Sequence, residues 1–284
     1  MGATFVIALR EGIEAALIVS ILLAYLNQLG RQDRAKVIWW GTGAAIAISA
    51  VVGVTIFAVG AEFEGTAEQV FEGVVTLLAV GVLTWMIFWM RRQGAHIKSE
   101  LEGKVDSALV TGATALAAIA FFAVLREGIE TALFLFAAAE GTAADSGGVG
   151  AQILGAVLGL AVAITLGVLL YKRAIRINLR TFFKFTGALI IIIAAGLFAY
   201  GVHELQEAGW FPLLEGTAFD ISSTLPDDSG IGAIFRGLLG YNADPTWLEV
   251  VAWLGYLVVI GTLYLRPYRS VAPRPVTADR ASAS

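Results

Sequence analysis

The chain has no cysteine. That excludes disulfides and every thiolate metal ligand. Only two histidines are present, His96 and His203, so a metal here has to be held by oxygen or by those two imidazoles. The zinc-protease pattern His-Glu-x-x-His is missing too, since His203-Glu204-Leu205-Gln206-Glu207 ends on a carboxylate. Zinc catalysis is therefore poorly supplied. Charge is scarce: Asp, Glu, Lys and Arg make up 15% of the 284 residues, where a soluble domain carries about a quarter. No lysine lies in the interior of a long apolar run, which leaves no site for a retinal Schiff base. No basic stretch precedes the first apolar run and no small-residue cleavage site follows it. The N-terminus reads as a retained span, not a signal peptide.

What is present is apolar: 58% of the chain is hydrophobic and the mean hydropathy is +0.79. The excess falls in runs of about 20 residues, the length that carries a helix across a bilayer core of roughly 30 Å. Seven such runs occupy about 4–28, 37–61, 70–90, 112–138, 150–171, 184–206 and 247–265. Sixteen of the 19 basic residues fall in the odd-numbered connections and the C-terminal tail, while the even-numbered connections are acidic. By the positive-inside rule the N-terminus is outside and the C-terminus inside. The expected fold class is an all-α integral membrane protein of seven transmembrane helices. The lipid bilayer is its surroundings, and no nucleic-acid partner is expected. Residues 1–270 form the membrane domain and the Pro/Ala/Ser/Arg-rich 271–284 a disordered cytoplasmic tail. Within the long connection 207–246, Ile231, Ile234, Phe235, Leu238 and Leu239 are spaced like one helical face, which fits either a short amphipathic helix or a packed surface loop.

One stretch occurs twice inside these apolar runs. Leu9-Arg10-Glu11-Gly12-Ile13-Glu14 returns as Leu125-Arg126-Glu127-Gly128-Ile129-Glu130. A weaker echo joins Phe71-Glu72-Gly73 to Phe185-Thr186-Gly187 at a similar offset. The chain therefore reads as two three-helix repeats, about 1–95 and 107–207, followed by a seventh span at 247–265. An odd number of spans per repeat forces the two to be inverted, a common transporter plan with its substrate site where the repeats meet.

On a helix, Glu11 and Glu14 share a face, as do Glu127 and Glu130. Arg10 and Arg126 stand four residues before the second glutamate of each copy. Gly12 and Gly128 let another helix approach closely. A charge at the membrane centre costs about 2.5–3.5 kcal/mol. Six independent ones would cost on the order of 15–20 kcal/mol, above the typical net stability of about 5–15 kcal/mol. The two arginines can neutralise two glutamates, and the remaining two negative charges suit a hard cation with oxygen ligands. A buried ion pair that fixes helix register explains one copy of such a motif. It gives no reason for a second glutamate on the same face in both copies.

Other acids are weaker candidates. Glu62, Glu64, Glu68 and Glu72 are placed to pre-bind cations or simply to be solvated, and Glu72 falls within the third span. His203, Glu204 and Glu207 end the sixth span, and His203 with Glu207 has the i, i+4 spacing of a metal pair or of an interfacial cap. His96 reads as a solvated loop residue.

At the doubled Arg-Glu-Gly-x-Glu motif the chain resembles the iron permease family, which includes the fungal high-affinity iron permeases and the bacterial EfeU-type permeases. The resemblance covers about residues 1–266. It implies a non-enzymatic protein that takes iron, as Fe3+ or Fe2+, across the cell membrane, with iron as transported substrate and no cofactor; the carboxylate ligands favour the harder ferric ion. It also implies that Glu11, Glu14, Glu127 and Glu130 are the translocation ligands beside Arg10 and Arg126. Fungal members carry acidic outer segments of the Glu-x-x-Glu kind, from which Glu62-x-Glu64-x-x-x-Glu68 departs. Bacterial members work with a secreted iron-binding protein and a haem peroxidase. The carboxylates alone leave open a transporter of another divalent cation, such as Mn2+, or a proton-coupled exchanger.

Overall fold

The computed structural model describes residues 1–93, 97–140, 148–172, 179–227 and 230–266. His96, Asp145 and the tail 271–284 lie outside the described residues. All seven apolar runs fall on helices: α1 (Gly2–Gln28), α2 (Ala35–Gly60), α3 (Thr66–Gln93), α5 (Ala113–Glu140), α6 (Gly148–Tyr171), α7 (Leu179–Glu207) and α9 (Trp247–Leu265). Two shorter helices join them, α4 (Ile97–Thr111) and α8 (Gly230–Leu239). The described residues contain no β-strand, only an isolated bridge between Thr217 and Thr246. α8 is the amphipathic piece anticipated in the long connection.

α4 is the addition. Its residues include Lys98, Glu100, Glu102, Lys104 and Asp106, which read as a charged connection. Yet Leu101, Val105 and Ala108 recur at helical spacing and are buried against α1, α2 and α5. The helix forms because that narrow apolar stripe has a core to cover.

Helix ends are closed by local chemistry. α1 finishes at Gly30, whose φ of +71° is open to glycine. There Gly30 N donates to Asn27 O at 3.1 Å and Arg31 N to Leu26 O at 2.9 Å, a Schellman closure. α9 starts with a capping box, in which Thr246 Oγ1 accepts from Glu249 N and Glu249 Oε2 from Thr246 N.

Among the described residues, five helices are long and apolar enough to cross a membrane: α2, α3, α6, α7 and α9. α1 and α5 are as long, at 27 and 28 residues, but each carries the charges of the repeated motif. α7 is the central helix, with 61% of its most apolar window buried against 11% for α2. The peripheral helices α2, α6 and α9 expose Trp39, Trp40, Val54, Ile153, Val157 and Val258. So many exposed large apolar side chains mark a lipid-facing exterior.

Helices pack in a reciprocal pattern. α1 lies along α6, α2 along α5, and α3 along α7, while α1 also meets α5. α1 and α6 run in the same direction, since Gly155 faces Met1 and Thr4, Gly159 faces Phe5 and Leu9, and Gly167 faces Ala16. α2 and α5 also run in the same direction, with Gly41 against Ala117, Gly53 against Ala132 and Gly60 against Phe136.

Two apolar clusters flank the motif. One joins Ala3 and Ile7 of α1 to Phe134, Ala137 and Ala138 of α5, together with α3, α7 and α9. The other joins Ile18, Leu22 and Leu26 of α1 to Leu116, Ala120 and Val124 of α5, together with α2 and α4. The charges of both motif copies lie between these clusters, in a layer at the middle of the helices.

Candidate metal centre

In both copies the motif glycine sits where another helix presses in. A Cβ on Gly12 would come within 2.7 Å of Ala163 Cβ on α6, and one on Gly128 within 2.6 Å of Ser49 Cβ on α2. That close packing turns the charged faces of α1 and α5 towards each other. Glu11, Glu14 and Glu127 each bring a carboxylate oxygen to within 4.8 Å of the others, and all three are buried. Three oxygens at that separation could hold a hard cation.

The two arginines behave differently. Arg10 is 2% exposed. Its Nη1 donates to Glu11 Oε1 at 2.5 Å, and its Nη2 lies 3.2 Å from Glu14 Oε1. The same guanidinium donates to the thioethers of Met86 and Met90 on α3. Arg126, one-third exposed, donates from Nε to Glu130 Oε1 at 2.8 Å. It has no ion-pair contact with Glu127 comparable to that of Arg10 with Glu11. Its guanidinium carbon stands 4.4 Å from the Trp89 ring centroid and 5.6 Å from that of Trp85. Glu130 is held on Arg126 and is not one of the three gathered carboxylates.

Three motif oxygens are buried without a hydrogen-bond or ion-pair partner, Glu11 Oε2, Glu127 Oε2 and Glu130 Oε2, while Glu14 Oε1 makes no hydrogen bond but lies against the Arg10 guanidinium. Buried carboxylate oxygens are expensive to leave unsatisfied. Free oxygens of this kind could be taken up by a cation.

A second acidic region lies at the end of the bundle where α5 and α7 finish and α3 and α9 begin. It is a cavity of about 340 Å³ whose lining includes Glu72, Glu140, Tyr200, His203, Glu204 and Glu249. Tyr200 Oη donates to Glu72 Oε2 at 2.6 Å. His203 lies 3.2 Å from Glu207 and 3.4 Å from Glu249. Glu207 is exposed and also accepts from Gln69. Glu62, Glu64 and Glu68 are exposed in and after the α2–α3 turn and do not line the cavity.

Sequence reasoning missed Met86, Met90, Trp85 and Trp89, and it missed Glu140 and Glu249 as cavity residues. A signal existed in Trp85-Met86 and Trp89-Met90, two i, i+4 pairs on α3. The periodicity alone does not say that these pairs face arginines.

The sequence profile of the iron permease FTR1 family matches residues 1–274. The chain belongs to the iron permease FTR1 family. It is therefore a permease and not an enzyme. It is similar to the ferrous iron permease EfeU of Escherichia coli O157:H7, at 41% identity over 99% of this chain and all of that one. It shares 41% identity with the EfeU of E. coli O6:K15:H31, over 96% and 98% of the two chains. With that of Yersinia pestis it shares 38%, over 99% of each. No solved structure matches the chain at a significant level. Membership and the five apolar helices together make this a multi-pass membrane protein.

Proposed function

We propose that this permease carries iron inward across the cell membrane, with Glu11, Glu14 and Glu127 holding the ion midway and Glu130 completing its shell. The reading rests on the meeting of those three buried carboxylates in a chain of an iron permease family. Four glutamates and two arginines leave two negative charges in the layer, the balance for a divalent ion. The relatives' name, ferrous iron permease, supports Fe2+ over the harder Fe3+.

The topology we propose has seven spans, α1 to α3, α5 to α7 and α9, with the N-terminus outside. Two observations support it. Arg31, Arg34, Lys36, Lys104, Lys172 and Arg266 all lie at or beyond one set of helix ends, and Glu62, Glu64 and Glu215 at the other. The packing is also reciprocal under exchange of α1 with α5, α2 with α6 and α3 with α7, as inverted repeats require. Gly12 on α6 and Gly128 on α2 obey the same exchange.

In this arrangement the 340 Å³ cavity is the outer vestibule. Its carboxylates concentrate cations by focusing the field of the low-dielectric walls. A secreted iron-binding protein and a haem peroxidase, the partners the family resemblance implies, would deliver iron at this end. The ion then passes to the motif glutamates, and rocking of one repeat against the other exposes it to the inside.

Uptake of radiolabelled iron into cells carrying Glu14→Ala, Glu127→Ala or Glu130→Ala, normalised to membrane abundance, tests the site. Wild-type rates in all three variants would remove the assignment. Competition by Mn2+ and other divalent ions tests the choice of metal.

A further inference from the structure

The connection between α7 and α9 leaves the bundle through an apolar segment outside the vestibule lining. Trp210, Phe211, Leu213 and Leu214 are large apolar side chains in a stretch of five residues, and all are exposed, from 44% at Phe211 to 65% at Leu213. Their backbone is nevertheless tied down. Trp210 N donates to Leu205 O at 2.9 Å, and Leu213 N to Phe211 O at 2.7 Å. Leu213 O accepts from Gln206 Nε2 at 2.8 Å, and Pro212 has no N–H to satisfy. These main-chain groups meet their needs without water while the side chains face out. Leu214 has φ +57°, a left-handed conformation that a bulky residue rarely adopts, so its side chain is presented against the local backbone preference.

Its neighbours set its level. The segment begins just past Glu207, where α7 ends, and runs on to Gly216, whose O accepts from Trp247 N at 3.1 Å. Trp247 opens α9 and heads a stripe of exposed side chains, Trp247, Val251, Leu254 and Val258, spaced as one helical face. That stripe belongs to the lipid-facing exterior, so the apolar segment continues a surface already turned to lipid. Trp210 and Trp247 stand at this end of the bundle as exposed Trp39 and Trp40 stand near the start of α2 at the other. Tryptophans gather in this way at both interfaces of a spanning protein.

We propose that residues 210–214 are a membrane-interface anchor, whose side chains enter the headgroup and acyl boundary of the leaflet at this end and hold the 207–246 connection on the bilayer. A patch meant for a soluble partner has no reason to be pinned at the head of a lipid-facing stripe. Exposed Glu207 and Glu215 bracket the segment, so their carboxylates stay among headgroups while the apolar tips go deeper. The same connection supplies Arg236, Tyr241 and Asn242 to the vestibule, and the anchor therefore positions one wall of that cavity. An anchor needs a bilayer and no particular direction of transport.

A chain without cysteine makes single-cysteine labelling clean. Leu213→Cys in the full-length protein carries a nitroxide in nanodiscs of phosphatidylethanolamine and phosphatidylglycerol, and Phe211→Cys is a second reporter. Val258→Cys on α9 is the lipid reference, and Ser223→Cys, exposed in the same connection, is the water reference. Power saturation with oxygen and a water-soluble nickel chelate is expected to place both reporters about 5–10 Å into the headgroup and acyl boundary. Without the nitroxide, their thiols react with a charged maleimide about tenfold more slowly than the thiol at position 223, because apolar surroundings disfavour the thiolate. Nickel collision and labelling rates equal to those of Ser223→Cys overturn the proposal and leave the face to a soluble partner. Dipolar broadening that disappears on dilution with unlabelled protein assigns the face to a second copy and overturns it too. Iron uptake bears on the permease reading alone: a wild-type chain that carries no iron removes that reading and leaves the anchor standing.

Discussion

Glu14 on α1 and Glu127 on α5 come from different copies of the motif, yet each brings a carboxylate oxygen to within 4.8 Å of the other. Glu14 has Arg10 beside it, whereas Glu127 has no arginine ion pair among the described residues. That asymmetry orders the motif glutamates by how freely each can give its oxygens to an ion.

Glu127→Gln is therefore expected to reduce iron uptake most, by about a hundredfold or more, since an unpaired buried carboxylate is the strongest contributor to a hard-cation site. Glu11→Gln, whose carboxylate is already bonded to Arg10 at 2.5 Å, should lose less. Initial rates of radiolabelled iron uptake against abundance decide the order, and equal losses would contradict it.

Arg10→Met should cost stability before it costs transport. It strands Glu11 and Glu14 in a layer where both are buried. Removing one partner of a buried ion pair costs about 3–5 kcal/mol. Arg126→Met removes the partner of one carboxylate from a less buried position and should cost less. Thermal unfolding in detergent gives the comparison.

Gly12→Ala overlaps Ala163, with the added carbon 2.7 Å from its Cβ. Overpacking of this kind costs about 1–3 kcal/mol. The double change Gly12→Ala with Ala163→Gly should recover most of the loss in Tm. Gly43→Ala meets no atom within 4 Å and serves as the neutral control.

Glu72→Gln keeps the shape of the vestibule and removes one charge, the one that Tyr200 bonds to. The expected effect is on capture: KM for iron rises about tenfold, more at low ionic strength than at high, while Vmax stays within about twofold. A loss confined to Vmax would remove Glu72 from the capture step.

Thr246→Ala deletes the side-chain half of the capping box on α9, the bond from Glu249 N at 3.3 Å, and should cost about 1 kcal/mol. It also frees Gln206, which Thr246 Oγ1 contacts at 3.1 Å. Thr246→Ser should retain both. The measurement is Tm in detergent.

Helix locations were legible in the sequence because a membrane helix must satisfy its backbone within one continuous apolar run. α4 was not, because Leu101, Val105 and Ala108 form too thin a stripe to stand out among Glu100, Glu102, Lys104 and Asp106. The motif was legible for the opposite reason, since charge in an apolar run is conspicuous. Its partners were not: Met86, Met90, Trp85 and Trp89 are ordinary residues for a membrane helix. Nothing in their own spacing points at Arg10 or Arg126.

The sequence by itself determined an all-helical chain with two charged motifs that must be neutralised, because local periodicity and hydropathy act within one helix. Only the tertiary structure decided that Glu11, Glu14 and Glu127 gather while Glu130 is held on Arg126. It also decided that one arginine is capped by thioethers and the other laid on indoles. Those outcomes depend on the rotation of each helix against its neighbours. That rotation is set by close contacts such as Gly12 on Ala163 and Gly128 on Ser49, which no single helix's pattern contains.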